Sequence, residues 1–423
     1  MVPASEAEAT ILALVPRPRS PGEAEPVGLE AALGRILATA VISPLDVPHW
    51  DNSAMDGYAV RYEDVHQASP AQPIGLTLTE VIPAGQSPTQ SVGPGQAARI
   101  FTGSMMPAGA DTVVMQEVTA SLGNQVLIQE VPAPQQFVRR QGEFYQAGQP
   151  LMAPGIWLGG PEIAVLASAQ CTKIQVFRQP CVAILSTGNE LVSPETPLQP
   201  GQIVDSNQYA LAALVRQAGG LPVPLGIIPD QPQALRDAIG AALGQADLII
   251  STGGVSVGDY DYVDQILTEL GATLHIRAVA VKPGKPLTVA TLPRPHTSGG
   301  GTETALYFGL PGNPVSALVS YWRFVEPALR KRVGHHQGWS PALVMATTRD
   351  SLKAGGGRET YLWGVLSTTA DGYDFRLAGG SHSSGNLVNL AGTNALAIVP
   401  VGKTLIAEQS PVRVMLVGRI VNP

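Results

Sequence analysis

The sequence has 423 residues, too many for one hydrophobic core, so two to four domains are expected. Hydrophobic residues make up 44% and charged residues 14%, while 46 glycines and 37 prolines predict many turns and several β-rich pieces and argue against a long helical bundle. The formal net charge is -7 and no basic run exceeds Arg330-Lys331-Arg332, which excludes a broad basic face for nucleic acid or an anionic membrane.

The two cysteines, Cys171 and Cys181, do not form a CxxC pattern, which argues against a disulfide framework and a thiolate zinc site. The N-terminus lacks a basic region followed by a long apolar core, so we expect no signal peptide. No apolar run is long enough to span a bilayer. We therefore expect a cytoplasmic protein without a membrane partner.

The first part of the chain alternates between helical and β-like patterns. Helical spacing predicts helices at residues 4–15, 29–39 and 156–169. Between about residues 44 and 146, brief β-like runs are separated by Gly, Pro and Asn turns, including the hairpin signal Gly123-Asn124. The sequence thus predicts a β-rich module inserted between helical pieces of one linker domain.

The segment from residue 181 to 333 alternates strand and helix in the way that specifies a parallel sheet covered by helices. Predicted strands are at residues 181–188, 221–228, 247–254, 274–281, 286–292 and 305–310. Four helices are predicted in this segment. The first is capped by Ser206 or Asn207 and ends at Gln217, and the second runs from 232 to 243 behind a capping Asp230. The other two span 260–270 and 315–332.

After Gly338 the pattern returns to short strands that suit a small barrel. Residues 293–304 are predicted to form a flexible surface loop. We expect a linker domain at 1–45 and 146–178, an inserted β-rich domain at 46–145, an α/β domain at 179–334 and a β-barrel at 335–423.

Two predicted strands end in the same Ser-Thr-Gly tripeptide, at residues 186–188 and 251–253. The carboxyl ends of parallel strands are where open α/β sheets bind ligands, and glycines let backbone N–H groups approach an anion closely. One copy alone is best explained as a tight strand end. Two copies, each followed by acidic residues, favour a phosphate or oxyanion site.

The acids that follow are Glu190 after the first turn, and Asp259, Asp261 and Asp264 after the second. Carboxylates beside an anion site either repel the anion or hold a divalent cation that neutralises both, so Mg²⁺ is the natural inference. The alternative is that Asp259 or Asp261 caps the helix that follows.

The turn Lys282-Pro283-Gly284-Lys285-Pro286 places two ammonium groups close together, which suits a small, doubly charged oxyanion. Ordinary turn lysines are the alternative. The segment 310–314 is explained as a strand-to-helix turn with proline at the first helical position, and it can also wall the pocket. The polar segment 51–58 is by default a solvated loop.

Several strings, in the same order along the chain, resemble the motif series of the MoeA and gephyrin E-domain family. They are DNSAMDGYAV, IFTGSMMPAGADTVVMQE, VRRQGEF, LSTGNEL, VDSN, STGGVSVGDYDYV, VKPGKP, LPGNPVSAL, GGGRETYLWGVL and GSHSSGNLVNLAGTNALAIVP. The resemblance covers essentially the whole chain. It implies a multidomain α/β plus β fold, with a helical linker domain, an inserted β-rich domain, a MogA-like α/β domain with a parallel-rich sheet and a C-terminal β-barrel.

The resemblance also implies a reaction and its partners. A homodimer of the family inserts molybdate into adenylylated molybdopterin, cleaves the phosphoanhydride and releases AMP, with Mg²⁺ or a similar divalent cation. The upstream partner is a molybdopterin adenylyltransferase, and the downstream partners are cofactor-accepting molybdoenzymes or their chaperones. No nucleic-acid partner is implied.

The family pattern assigns roles residue by residue. Catalytic roles fall on Asp56, Thr102, Arg139, Glu190, Asp230 and Asp259, of which Glu190 and Asp259 hold the metal. Contacts to the molybdopterin phosphate or AMP fall on Thr187, Gly188, Ser251, Thr252, Gly253, Gly254, Ser256 and Asp261. Contacts to molybdate fall on Lys282, Lys285, Pro286, Arg358 and Ser384. Asp56, Thr102 and Arg139 are expected to reach the cleft from the partner subunit.

Two positions depart from the family pattern, since Phe144 stands where an acid is common and Asn189 where Asp is usual. Two other functions remain open: a non-enzymatic carrier or scaffold of the gephyrin type, and a phosphoanhydride hydrolase that uses the same α/β domain. The pair His335-His336 is expected to be a solvated helix end, because no acid or Cys lies near it in sequence.

Overall fold

The computed structural model describes residues 1–18, 22–254, 262–294 and 304–420. Within these ranges the chain forms three six-stranded sheets and several two-stranded pairs. The predicted fold class is confirmed: an α/β unit with a parallel-rich sheet, an inserted β-rich unit, a helical linker region and a C-terminal β-barrel. Across the described ranges, no helix has the length and apolar character needed to cross a membrane.

The linker region combines two chain segments that flank the inserted unit. Strand Ala24–Gly28 pairs antiparallel with Lys173–Phe177, and Val41–Ile42 pairs with Pro150–Met152. Because the partners come from opposite sides of the β-rich unit, that unit is an insertion. The helices here are Leu29–Ala32 and Gly160–Ser168.

The predicted helix at 29–39 is wrong beyond Ala32. Gly34 has a φ of +77°, a conformation that ends a helix. Ile36 and Leu37 then form isolated β-bridges and are fully buried. Their apolar side chains, which suggested a helix, instead pack in two cores: Ile36 in that of the α/β unit and Leu37 in that of the linker region.

The predicted helix at 156–169 starts four residues late, at Gly160. Pro161 lies in the first turn, where its missing N–H costs nothing. The Glu162 carboxylate accepts the backbone N–H of Gly159 at 2.9 Å. This cap fixes the start of the helix.

The inserted unit is a six-stranded sheet with apolar clusters on both faces. All its strand pairs are antiparallel except Ile74–Ile82 with Gln96–Ile100. The predicted hairpin is confirmed, since Gly123-Asn124 joins the last two strands and Gly123 has a φ of +61°. In sheet order the strands are Thr112–Met115, Gly57–Val60, Gln96–Ile100, Ile74–Ile82, Gln125–Ile128 and Thr119–Leu122. Smaller elements are the strands Asn52–Ser53 and Val138–Arg139, the helix Tyr62–Val65 and the 3-10 turn Gln116–Val118.

The α/β unit has four parallel strands continued by two antiparallel ones. In sheet order they are Leu221–Ile228, Cys181–Thr187, Leu248–Thr252, Thr304–Leu310, Pro286–Pro293 and Thr273–Ala278. Helices Pro232–Leu243 and Tyr262–Glu269 cover one face, while Asn207–Gln217 and the segment 314–333 cover the other. The short pair Leu191–Val192 and Ile203–Val204 projects beside the sheet.

The N-terminal helix Ala4–Leu14, which we assigned to the linker domain, packs on the α/β unit. Its buried residues Ala4, Ala7 and Ile11 belong to the apolar cluster of that unit. The Lys331 ammonium donates to the carbonyl of Leu12 at 2.6 Å. The proposed domain boundaries stay a prediction, since a helix can belong to one domain in sequence and pack on another.

The segment 314–333, which we name the closing helix, is interrupted by a π-turn. It consists of Pro314–Ser320, the π-turn Tyr321–Val325 and Glu326–Val333. Pro327 explains the interruption, because it lacks an N–H and its ring crowds the carbonyl four residues earlier, at Arg323. The predicted helix at 315–332 is thus present but irregular in its middle.

The C-terminal unit is a closed barrel of five strands. Each strand pairs with two neighbours, so the sheet has no free edge within the ring. In ring order the strands are Leu343–Thr348, Gly372–Leu377, Glu359–Thr369, Ala395–Val399 and Pro411–Leu416. Outside the ring lie the pair Leu352–Lys353 with Leu405–Ile406 and the 3-10 turn Leu387–Leu390.

The predicted strand at 274–281 splits in two. Thr273–Ala278 stays in the α/β sheet, whereas Val281–Lys282 leaves it and pairs parallel with Glu359 and Thr360 of the barrel. We name Val281–Lys282 the bridging strand. It joins the α/β unit to the barrel by backbone hydrogen bonds.

Candidate functional site

The two Ser-Thr-Gly turns lie side by side, as predicted. They end the neighbouring parallel strands Cys181–Thr187 and Leu248–Thr252, and Ser186 pairs with Thr252 in register. The Thr252 hydroxyl donates to Ser186 Oγ at 3.1 Å, and the Thr187 hydroxyl donates to the Thr252 carbonyl at 3.4 Å. The two turns therefore form one continuous edge of the sheet, which we name the glycine edge.

Glycine is required where the turns touch. Gly253 has a φ of +87°, and a Cβ atom there would lie 2.4 Å from the carbonyl oxygen of Thr187. Gly254 has a φ of +67°, and Gly312 of the strand-to-helix turn approaches Gly253 closely. Only glycine permits this backbone contact, and the exposed Gly254 lies beside the side chains of Thr187 and Val263.

The hydroxyls of this edge mostly stabilise the turns. Ser251 is 1% exposed and its hydroxyl contacts the Tyr307 hydroxyl inside the sheet, while Thr252 is 2% exposed. Direct contact of Ser251 or Thr252 with a ligand therefore stays a prediction. Ser256, Asp259 and Asp261 lie outside the described residues.

Two carboxylates stand beside this edge. Both carboxylate oxygens of the exposed Glu190 lie 2.8 Å from the place a Cβ on Gly188 would occupy. Asp230 accepts the backbone N–H of Asn189 at 3.3 Å, and Asn189 Oδ1 accepts the N–H of Asp230 at 3.1 Å. Asn189 thus offers the same kind of acceptor oxygen to the Asp230 N–H as the usual Asp would, without adding a charge.

One predicted helix cap is wrong, and another is at its predicted position. Gln231, not Asp230, precedes the helix Pro232–Leu243 at the cap position, because Asp230 is engaged with Asn189. At the helix Asn207–Gln217, Ser206 occupies the cap position as predicted, but its side chain makes no capping hydrogen bond. The carboxylate of Asp205 accepts the N–H of Gln208 at 3.3 Å instead.

Sequence reasoning treated Asn207 only as a helix start. It is 8% exposed, and its amide donates to the carbonyl of Gly312 at 2.9 Å. Its Oδ1 has no hydrogen-bond partner among the described residues. Its place in the string VDSN was the only signal that marked it.

Of the predicted oxyanion residues, Arg358 and Lys282 lie close together where the α/β unit joins the barrel. The Arg358 guanidinium donates to the carbonyl of Val281 at 3.1 Å, next to Lys282 in the bridging strand. The carbonyl of Ser384 accepts the N–H of Val315 at the start of the closing helix. Lys282 is exposed, and Lys285, Pro286, Arg358 and Ser384 are half-buried.

In the inserted unit, Asp56 and Thr102 form one pair. The backbone N–H and the hydroxyl of Thr102 donate to Asp56 Oδ1 at 2.8 and 2.7 Å, and these bonds lower the pKa of the Asp56 carboxyl. Arg139 lies opposite Asn52 in a short strand pair nearby. Within the described part of the chain, no hydrogen bond or ion pair joins these three residues to the glycine turns.

Three family profiles match the chain. They are the MoeA N-terminal region (domain I and II) over residues 2–169, the probable molybdopterin binding domain over 183–331 and the MoeA C-terminal region (domain IV) over 345–417. A molybdopterin molybdenumtransferase of Nostoc sp. is 56% identical over 405 residues, which cover 96% of this chain and 91% of that protein. The chain belongs to the molybdopterin molybdenumtransferase family.

Other comparisons agree with this family. A molybdopterin molybdenumtransferase of Haemophilus influenzae is 39% identical over 344 residues, with 80% of each chain covered. A solved molybdopterin biosynthesis MoeA protein from Pyrococcus horikoshii is 28% identical and covers 98% of this chain and 100% of its own, with a TM-score of 0.81.

Family membership confirms the resemblance found in the sequence. The chain is a transferase, and this interpretation is favoured over a non-enzymatic scaffold.

Proposed function

We propose that this chain inserts molybdate into adenylylated molybdopterin, cleaving the phosphoanhydride and releasing AMP. The observation that carries the proposal is the meeting of Arg358 from the barrel with the turn of Lys282 and Lys285 from the α/β unit. Cations from two units at one junction suit a small dianion, because each cation offsets part of its charge. Molybdate is such a dianion.

The glycine edge takes the nucleotide-bearing substrate in this proposal. The contact between Gly253 and Thr187 holds the two turns together, and the exposed Gly254 lets a phosphate approach the backbone. Thr187, Gly188, Gly253 and Gly254 border that phosphate. The Oδ1 of the buried Asn207, which has no hydrogen-bond partner in the described part of the chain, is available to a donor group of the substrate.

The donor set at this edge fits Mg²⁺. Glu190 and Asp230 offer hard carboxylate oxygens, and Mg²⁺ commonly binds one or two carboxylates together with substrate phosphates. Asp259 lies outside the described residues and is proposed as a further ligand. When bound, the ion supplies charge neutralisation at the phosphoanhydride. Glu190 and Asp230 would hold this cation, so that the pyrophosphate stays beside the residues proposed to bind molybdate.

The site is proposed to be shared between two subunits of a homodimer. Asp56, Thr102 and Arg139 form a polar group without a described hydrogen bond to the glycine turns of the same chain. Because the family pattern places them in the cleft, the partner's copies supply them. The cytoplasmic location, the upstream adenylyltransferase and the acceptor molybdoenzymes or their chaperones belong to the same proposal.

Molybdate saturation of AMP release tests the proposal. Arg358→Ala removes a cation from the oxyanion site, so the molybdate concentration for half-maximal AMP release should rise about tenfold or more. Arg376→Ala is the matched control, since Arg376 is exposed in the barrel strand Gly372–Leu377. Equal saturation curves for Arg358→Ala and the wild type would remove Arg358 from the site.

A further inference from the structure

A chain of polar contacts crosses the junction between the α/β unit and the barrel. In the π-turn of the closing helix, Arg323 Nε donates to the Tyr361 hydroxyl at 2.9 Å. The Tyr361 hydroxyl donates to the Glu359 carboxylate at 2.5 Å. Arg323 Nη1 also binds Glu8 of the N-terminal helix at 2.5 Å. Three separate parts of the sequence are thus joined by charge-assisted hydrogen bonds.

The contacts are shielded from water. Tyr361 is fully buried, and the side chains of Arg323 and Glu8 are 12% and 15% exposed. Burial raises the pKa of the Tyr361 phenol far above its usual range, so the hydroxyl stays a neutral donor. In such surroundings each hydrogen bond holds its partners in one geometry.

These polar contacts are adjacent in the fold to two residues proposed to bind molybdate, Arg358 and Lys282. Glu359 is the next residue after Arg358, and its backbone N–H donates to the carbonyl of Ala280 at 3.0 Å. Glu359 pairs with Val281 of the bridging strand, and Thr360 pairs with Lys282. Tyr361 therefore lies two residues after Glu359, whose pairing with Val281 holds Arg358 beside Lys282.

The closing helix also contacts the turn at residues 282–286, which we name the lysine turn. A Cβ atom on Gly284, between Lys282 and Lys285, would lie 2.7 Å from Ser320 Oγ. Ser320 directly precedes the π-turn that carries Arg323. One helical segment thus contacts the lysine turn through Ser320 and the barrel through Arg323.

We propose that Arg323, Tyr361 and Glu359 are positioning residues that fix the separation of the lysine turn from Arg358 and thereby set the affinity for the oxyanion. This inference rests on the proposed function of the same site. The three residues do not touch the substrate. They keep two cationic groups from different units at one spacing.

The test compares molybdate saturation in full-length variants. Tyr361→Phe removes the bridging hydroxyl but keeps the ring, so the KM for molybdate should rise about tenfold. The kcat at saturating molybdate and the KM for adenylylated molybdopterin should stay near wild type, because neither the chemistry nor the glycine edge changes. Tyr373→Phe, in the neighbouring barrel strand, is the matched control and should change none of these values.

Two variants of Glu359 keep the test decisive if Tyr361→Phe does not fold. Glu359→Ala should raise the KM for molybdate as Tyr361→Phe does. Glu359→Gln keeps an acceptor for the Tyr361 hydroxyl and should restore the KM to within about twofold of wild type. A loss of folding stability alone would not separate Gln from Ala at this position in this way.

Arg358→Ala, assayed alongside, separates the two proposals. An unchanged KM for molybdate in Tyr361→Phe and Glu359→Ala, with a raised KM in Arg358→Ala, would overturn the positioning role and leave the molybdate site intact. An unchanged KM in Arg358→Ala would overturn the molybdate site, and the positioning role would fall with it.

Discussion

At the scale of single residues, the contact between Gly253 and Thr187 shows how little room the glycine edge has. A side chain at Gly253 meets both an unfavourable φ and a carbonyl oxygen at 2.4 Å. Gly226, in a strand of the same sheet, has a φ of +84° but open space around its Cβ position. Substitutions at these two glycines therefore distinguish the cost of a positive φ from the cost of a steric clash.

We predict that Gly226→Ala lowers the free energy of unfolding by about 1–2 kcal/mol, the cost of a positive φ alone. Gly253→Ala should lower it further and abolish AMP release, because the two turns must move apart. Urea unfolding and the activity assay measure both effects. Equal stabilities and full activity in the two variants would show that the turns do not need to touch.

The carboxylate of Glu190 leads to a second prediction. Glu190→Gln should raise the Mg²⁺ concentration for half-maximal activity, since a neutral amide is a poorer ligand for a hard cation. Glu195→Gln changes an exposed acid a few residues away and should leave the Mg²⁺ requirement unchanged. If both variants titrate with Mg²⁺ as the wild type does, Glu190 is not a ligand.

The sequence could predict residues whose role follows from local pattern. The repeated Ser-Thr-Gly turns and Glu190 were found because strand ends and glycines are local signals. Asn207 was missed as a buried polar group, because its contact with Gly312 joins distant parts of the chain. The side-chain positions of Ser251 and Thr252 also depend on neighbouring strands, which no local pattern specifies.

At the scale of elements, the junction between the linker region and the α/β unit depends on Asp247. Arg178 binds both of its carboxylate oxygens at 2.7 Å, and Arg332 binds one at 3.0 Å. Burial opposes ionisation of Asp247, but the hydrogen bonds and charges of these arginines outweigh it and lower the pKa of the carboxyl to about 2.

We predict that Asp247→Asn destabilises the protein by about 2–3 kcal/mol, because it removes the buried carboxylate that accepts from Arg178 and Arg332 and leaves Glu23 as the counter-ion they share. Asp371→Asn, in an exposed turn of the barrel, is the control and should have little effect. Urea unfolding at neutral pH measures the difference. A stability loss of equal size in both variants would contradict the structural role of Asp247.

The contribution of Asp247 to the free energy of unfolding also depends on pH. The folded pKa of Asp247 lies below its ordinary value of 3.8. Its stabilising effect is therefore complete above about pH 4 and is lost as the pH falls toward 2. This loss amounts to about 2 kcal/mol in the wild type and should be absent in Asp247→Asn. Parallel pH profiles of the unfolding free energy for the wild type and Asp247→Asn would contradict this role of Asp247.

Most elements of the α/β unit could be predicted, because buried strands and amphipathic helices carry distinct patterns. The bridging strand could not, since residues 274–281 have the pattern of one continuous strand and only pairing with the barrel divides it. The π-turn was missed because Pro327 was read within a continuous helix. The helix at 29–39 was extended too far because Gly34 was given too little weight as a stop.

At the scale of the whole molecule, the proposed sharing of the site makes a prediction about mixed dimers. At a molybdate concentration well below the raised KM of Arg358→Ala, Asp56→Asn and Arg358→Ala should each have low activity alone. If the two residues serve one site from different subunits, each mixed dimer keeps one intact site. A randomly assorted 1:1 mixture should recover about a quarter of wild-type activity.

Activity after dissociation and reassortment of the two variants measures this recovery. A mixture of two variants defective at the same residue, Arg358→Ala and Arg358→Gln, is the control and should recover none. No recovery in the Asp56→Asn and Arg358→Ala mixture, despite mixed dimers formed, would place all these residues in a site within one subunit.

The most direct test of the central claim is reconstitution of the purified protein with adenylylated molybdopterin, Mg²⁺ and molybdate. AMP release and the activation of a cofactor-free molybdenum enzyme are followed together. The account predicts AMP release that depends on molybdate and is matched by activation. AMP release without molybdate would indicate a phosphoanhydride hydrolase, and substrate binding without any AMP release would indicate a carrier; either result would contradict the account.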